Sequence, residues 1–305
     1  MTVFHQHEDA HAHAHQMPEF NRAFIIAILA NGIFVVFQVL FAILSNSTSL
    51  LADAIHNLGD VLSLVVAWVA NSMLQKKPTE RSTYGMKKTT ILAAFANGGV
   101  LIFTCGIIAY EAIYKFFAPS EVHAISVMVV ASIGVIVNAA TAALFFKGGN
   151  DLNIRGAFLH LMYDALISVG VVLSAGLLYI TGWLWLDPLV GLLIALIILQ
   201  GTWSLFRDSF RLMIDGVPRG ISISKVRYYL EGLEGVQGVH DLHVWAMSTR
   251  ENALSVHLWM PEASLSDVRR ERLAKTLLHD FNIHHITIQV EQTQLHCEDR
   301  CKLYL

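Results

Sequence analysis

Residues 50–66 read LLADAIHNLGDVLSLVV, an apolar run long enough to lie within a membrane yet broken by Asp53, His56 and Asp60. Its surroundings decide how it is to be read. The chain has 305 residues, 54% of them hydrophobic and 15% charged, a balance that excludes an ordinary soluble globular protein and points to an integral membrane one. A bilayer core of roughly 30 Å asks for about 20 apolar residues per helix. Six segments meet that demand: 23–44, 50–73, 90–114, 124–146, 153–180 and 184–206. The expected organisation is a tail over residues 1–20, a six-helix transmembrane domain over 21–207 and a cytosolic domain over 208–305.

Orientation follows from the basic residues, because short loops rich in Lys and Arg stay in the cytosol. Lys76, Lys77, Arg81, Lys87 and Lys88 lie between the second and third segments, and Lys147 and Arg155 between the fourth and fifth. The opposite loops, SNSTS and TGWLW, have none, and only Lys115 runs against the trend. Both termini are therefore expected in the cytosol. The first 22 residues hold no apolar core of the signal-peptide kind, so the first helix is expected to act as its own insertion signal. A net charge of −3 gives no case for a nucleic-acid partner.

An ionisable residue at the centre of a membrane helix costs about 2.5–3.5 kcal/mol on insertion scales, so it is expected to face a partner, a cavity or a transport path. His56 and Asp60 stand four residues apart, and the fifth segment repeats that spacing in His160 and Asp164. With 3.6 residues per turn, each pair projects from one helix face. Asp60 lies ~15 Å from the outer end of its segment and Asp164 ~16 Å from the cytosolic end of its own, which sets both near the midplane.

Two imidazoles and two carboxylates make a four-donor N2O2 set suited to tetrahedral Zn²⁺ rather than octahedral Mg²⁺. Two ionised Asp balance one divalent cation when both His are neutral. Without metal, two close carboxylates raise the proton affinity of the set, and metal binding then displaces protons. Metal/proton antiport requires that coupling. The plainer reading makes each pair a packing hydrogen bond between helices; it explains one pair as well as transport does, and two matched pairs less well. Asp53 shares the face of His56 nearer the outer end, as a hydrated vestibule residue or a helix N-terminal carboxylate rather than a fifth ligand. Asn31, Asn97 and Asn138 read as interhelical hydrogen bonders, and Cys105 as a buried small hydrophobe.

Four separated motifs, SLLADAIHNLGD, HLMYD, DPLVGLLIAL and VHDLHVW, together resemble the cation diffusion facilitator family, in matching order from residue 21 to 291. The resemblance implies a homodimeric transporter with six membrane helices and a cytosolic α+β domain like a small metallochaperone. It implies that His56, Asp60, His160 and Asp164 ligate the transported metal, exchanged for H⁺ by alternating access. Zinc is then substrate, and no cofactor or catalytic water is needed. Relatives with Asp at the first His position accept a wider range of metals, so His56 favours zinc. The resemblance also places His240, His257 and Glu291 where relatives hold a structural or regulatory cytosolic zinc. Two departures stand out. The loop KKPTERSTYG lacks the His and Asp of an additional membrane-surface zinc site, and KGGNDLNIRG lacks the His-rich insertion of many eukaryotic members. The short second loop leans toward a bacterial cytoplasmic membrane.

The cytosolic domain reads as helix (221–235), strand (240–248), strand (253–260), helix (264–281) and strand (285–291) from its periodicity and turn signals. Such a two-layer domain suits dimerisation. Cys297 and Cys301 in the tail HCEDRC are further thiolate donors for zinc. His243, His279, His284 and His285 read as surface residues, and Asp208 as either a partner of the basic loop 76–81 in an ion pair bracing the dimer or a solvated interfacial charge. The stretch HQHEDAHAHAHQ, with His5, His7, His11, His13 and His15, is either a weak zinc-capturing tail or a dispensable one. An intramembrane zinc protease would need HExxH, which is missing, so no enzyme is expected. A membrane-anchored zinc sensor leaves the two midplane pairs unexplained.

Overall fold

The computed structural model describes residues 22–74, 76–146, 152–262 and 264–293, so the His-rich tail, Cys297 and Cys301 lie outside it. Six long helices come first: α1 (Arg22–Leu44), α2 (Thr48–Leu74), α3 (Thr89–Phe117), α4 (Ala124–Phe146), α5 (Leu152–Thr181) and α6 (Leu186–Met213). Among the described residues, stretches of α3, α4, α5 and α6 are long and apolar enough to cross a membrane, and α1 adds a shorter apolar run, Leu29–Leu44. The chain thus has a helical transmembrane domain. α2 is its hub, touching α1, α3, α5 and α6.

The connections α1–α2, α3–α4 and α5–α6 gather at one end of the bundle. Ser45 O accepts from His123 N at 3.1 Å, and Asn46, left-handed at φ 52°, donates its amide to Ser120 Oγ at 2.9 Å. Lys115, the exception to the charge pattern, donates to Asn46 O at 2.8 Å and pairs with Glu111 at 2.9 Å, so it neutralises the carbonyl end of α1.

Asp187 closes the same end. Its carboxylate, 3% exposed, accepts from Thr48 N at 2.6 Å, Ser49 N at 3.3 Å, Ser47 Oγ at 2.5 Å and Ser49 Oγ at 2.6 Å. Because Asp187 also occupies the first turn of α6, it faces the positive poles of two helix N-termini. Ser47 caps α2 by accepting from Leu50 N at 3.1 Å. Four residues on, Gly191 lets α6 meet α2: a Cβ there would stand 2.9 Å from the Thr48 carbonyl. The DPLVG motif is thereby accounted for.

The membrane core is lopsided. Ala42, Leu50, Ala52, Cys105, Ile108, Val127, Val130, Ala131, Val171, Ala175, Ile194, Ala195 and Ile198 form one buried cluster, and each lies in the half of its helix nearer the loop end just described. α6 runs on to Met213 because Phe206 and Phe210 pack on Phe95 of α3, with centroids 4.8 and 6.0 Å apart.

After α6 come α7 (Ile223–Glu231), β1 (Gly238–Ala246), β2 (Asn252–Trp259), α8 (Asp267–Phe281) and β3 (His285–Glu291), the expected order. The sheet order is β1-β2-β3, with β1 antiparallel and β3 parallel to β2. Leu254, Val256 and Leu258 of β2 pack with Val226, Leu230, Leu273 and Leu277 of the two helices. By strand alternation, the face carrying Ser255, His257 and Trp259 is the one without helices. The domain joins the bundle through an ion pair of Lys87 with Glu251, a second of Lys88 with Asp215 at 2.6 Å, and Thr249 N donating to Thr90 Oγ1 at 3.0 Å. Within the chain Asp208 pairs with Arg219 at 2.7 Å, because the turn after α6 brings the guanidinium back against the helix.

Removing the Asp187 carboxylate strands buried donors at a helix start, which costs about 2–3 kcal/mol. Asp187→Ala and Gly191→Ala are each expected to lower the unfolding temperature of the detergent-solubilised chain. Gly106→Ala, whose added Cβ meets nothing within 4 Å, serves as the neutral control. Equal melting of all three variants would contradict this account.

Candidate metal transport site

α2 and α5 bring the four spaced residues together. His56 Nε2 lies 2.9 Å from Asp164 Oδ1 and 3.9 Å from Asp60 Oδ2. His160 Nε2 lies 3.3 Å from Asp60 Oδ1 and 3.9 Å from Asp164 Oδ2. The contacts therefore cross between helices: each imidazole approaches the carboxylate of the other helix more closely than its own. Donors held ~2.0–2.1 Å from a tetrahedral Zn²⁺ stand about 3.3 Å from one another, and the four His–Asp separations bracket that value, while the two imidazole rings stand with centroids 6.4 Å apart. His56, Asp60 and Asp164 offer atoms within 4.8 Å of one another. Asp60 Oδ2 is buried without a hydrogen-bond partner, an oxygen free to accept a cation.

Exposure grades along the site. Asp164 is 4% exposed and His56 17%, whereas Asp60 is 31% and His160 51%. Asp60 follows His56 on α2, and His160 precedes Asp164 on the antiparallel α5, so the more exposed member of each pair lies toward the end of the bundle that carries the C-terminal domain. On the other side the site is shut.

Asp53 forms part of that closure, which corrects its reading as a hydrated vestibule residue. It is fully buried, and its Oδ2 accepts from Gln38 Nε2 at 2.6 Å and Ser168 Oγ at 3.0 Å, while Asn57 Nδ2 donates to Gln38 Oε1 at 3.1 Å. Placed beyond the first turn of α2, it is not an N-terminal carboxylate either. The network ties α1, α2 and α5 one turn from the metal donors. Gln38 and Ser168 are polar residues that the sequence reading passed over; a lone Gln inside the apolar run of α1 was the available signal. Of the three asparagines, Asn97 donates across helices to Ser63 Oγ at 2.8 Å, and Asn138 is buried with its Nδ2 unpartnered.

A second cluster lies in the C-terminal domain, on the helix-free face of the sheet. His240 and His257 face each other across β1 and β2, and Glu291 on β3 lies beside Trp259. His240 Nε2 is 3.1 Å from Glu291 Oε2, and His257 Nδ1 is 3.0 Å from Glu291 Oε1. Glu291 is 6% exposed and its Oε2 has no aligned hydrogen bond, so the donor set fits a divalent cation. His243, His279, His284 and His285 are exposed, as expected of surface residues.

A profile described as the cation efflux transmembrane domain matches residues 24–214, and one described as the cation efflux protein cytoplasmic domain matches residues 218–293. The chain belongs to the cation efflux, or cation diffusion facilitator, family. Its members are transporters rather than enzymes, and the C-terminal unit is their cytoplasmic domain. A "cadmium, cobalt and zinc/H(+)-K(+) antiporter" of Bacillus subtilis is 35% identical over 297 residues, 95% of each chain. The zinc transporter ZitB of Yersinia pestis is 32% identical over 280 residues, covering 91% of this chain and 89% of its own. The metal cation efflux system protein CzcD of Cupriavidus metallidurans is 32% identical over 282 residues, covering 92% and 89%.

The exposure gradient predicts chemical access. With Cys297 and Cys301 replaced by Ser, a thiol introduced as His160→Cys should react with a water-soluble alkylating reagent roughly tenfold faster than one introduced as Asp164→Cys. Equal rates would contradict a site that opens on one side.

Proposed function

We propose that this chain exports Zn²⁺ from the cytoplasm in exchange for H⁺, with the metal held by His56, Asp60, His160 and Asp164. One observation carries the reading: each of two His approaches both of two Asp, at 2.9–3.9 Å, where α2 and α5 meet inside an apolar bundle. The relatives' names, a zinc transporter and a cadmium, cobalt and zinc/H(+)-K(+) antiporter, support zinc among the cargoes and protons among the counter-ions.

The mechanism follows from the donors. A cation entering from the cytoplasmic end meets Asp60 and His160 first, because those are the accessible members. It then reaches His56 and Asp164, and the two carboxylates neutralise its charge within the low-dielectric interior. Ligation requires nitrogen lone pairs and ionised oxygens, so protons leave as metal binds and return as metal departs on the far side. Closure behind the site consists of the buried core and the Asp53 network, which must part for release outward. Six spanning helices, cytosolic termini, a homodimer joined through the cytoplasmic domain and a bacterial inner membrane complete the proposal. The cluster of His240, His257 and Glu291 serves in it as a regulatory zinc site. The fit of this cluster also favours zinc sensing by the domain as a second role.

Purified full chain in proteoliposomes with an acidic lumen should accumulate Zn²⁺ as protons leave, so that the lumen alkalinises in step with uptake. Asp60→Ala and Asp164→Ala should each cut the rate at least tenfold, since each leaves a three-donor site with uncompensated charge. Undiminished flux in both variants would rule the site out.

A further inference from the structure

The cytoplasmic cluster has a neighbour that the motif VHDLHVW does not disclose. Asp241 lies between His240 and His243, where the β1–β2 register shifts, and its backbone is left-handed at φ 50°. A non-glycine residue in that region costs about 1–2 kcal/mol, less for Asp than for most. Conformation alone would favour Gly. The side chain supplies a reason for Asp. Its Oδ1 lies 2.9 Å from His243 Nε2, and its Oδ2 lies 3.5 Å from His257 Nε2. The other nitrogen of the His257 ring, Nδ1, is the one that faces Glu291. His257 is thus addressed by carboxylates at both nitrogens, Glu291 on the side of the cluster and Asp241 behind it.

An imidazole that ligates a metal through Nδ1 must carry its proton on Nε2, and the group accepting that proton fixes both tautomer and ring orientation. We propose that Asp241 is the positioning residue of the cytoplasmic zinc site: held by the bulge, its carboxylate accepts the His257 Nε2 proton and so presents Nδ1 to the metal. The bulge and the left-handed residue aim this side chain across the sheet. His243 steadies the second oxygen. The inference rests on the reading of His240, His257 and Glu291 as a zinc site, and the test separates the two.

The measurement is Zn²⁺ affinity of the full chain by competition with a chromophoric chelator, in a background carrying Asp60→Asn and Asp164→Asn. Asp241→Gly keeps the left-handed backbone at no steric cost and removes the carboxylate. It should leave the apo unfolding temperature unchanged or raised while weakening Zn²⁺ roughly 10- to 100-fold, the usual effect of losing a partner behind a metal-bound His. Asp241→Asn, with a weaker acceptor, should fall between. Nitrogen-15 spectra of zinc-loaded chain should show His257 protonated at Nε2, a signature lost in Asp241→Gly. Should His257→Ala and Glu291→Gln leave affinity unchanged, the zinc site itself fails. If those two lower it while Asp241→Gly binds like the parent, the site stands and the positioning role is overturned.

Discussion

The contact between His56 and Asp164 is what the membrane domain is arranged around. A carboxylate inside an apolar bundle needs compensation, and the three deepest ones obtain it differently. Asp187 accepts two hydroxyls on Oδ1 and a backbone N–H from the start of α2 on each oxygen, and is therefore a structural clasp. Asp53 is tied through one oxygen to an amide and a hydroxyl. Asp164, at 4% exposure, is met among the described residues by imidazoles. Imidazoles can give way to a cation; a backbone N–H cannot. That difference separates the site from its scaffold.

Packing supplies direction. The buried core occupies the loop end of the bundle, Asp187 and Gly191 lock α6 onto the start of α2, and the network of Gln38, Asp53 and Ser168 seals the next layer. On the other side of the site Asp60 and His160 are accessible, and there Asn97 joins α3 to Ser63 of α2 while Phe95 stacks on Phe206 of α6. The cytoplasmic domain is attached at that side, by Lys87 and Lys88 at the start of α3. A domain fixed to α3 and continuous with α6 is well placed to move with the opening, since α3 and α6 pack together.

Much of this was legible in the chain because it is local. The spacing of His56 to Asp60 and of His160 to Asp164 needs only helical periodicity, and the alternation of β2 needs only the strand repeat. What escaped depends on partners far along the sequence. Asp53 looked solvated until Ser168, 115 positions away, came into view. Asp187 and Gly191 stood in a motif whose meaning lay at Thr48, 139 positions from the Asp. Asp241 was hidden because a bulge breaks the alternation from which a side chain's direction is read. His240, His257 and Glu291 were placed by family resemblance, and the register of β1, β2 and β3 supplies the physical reason they meet.

The central claim is a four-donor, sulfur-free tetrahedral site at the crossing of α2 and α5. Its most direct test is zinc K-edge X-ray absorption on the full chain, with the cytoplasmic cluster disabled by His257→Ala and Glu291→Gln, Cys297 and Cys301 replaced by Ser, and one zinc bound per chain. The account predicts four nitrogen and oxygen neighbours at about 2.0 Å, two of them imidazoles, and loss of that spectrum in Asp164→Asn. A six-coordinate oxygen shell, or a spectrum indifferent to Asp164, would contradict it.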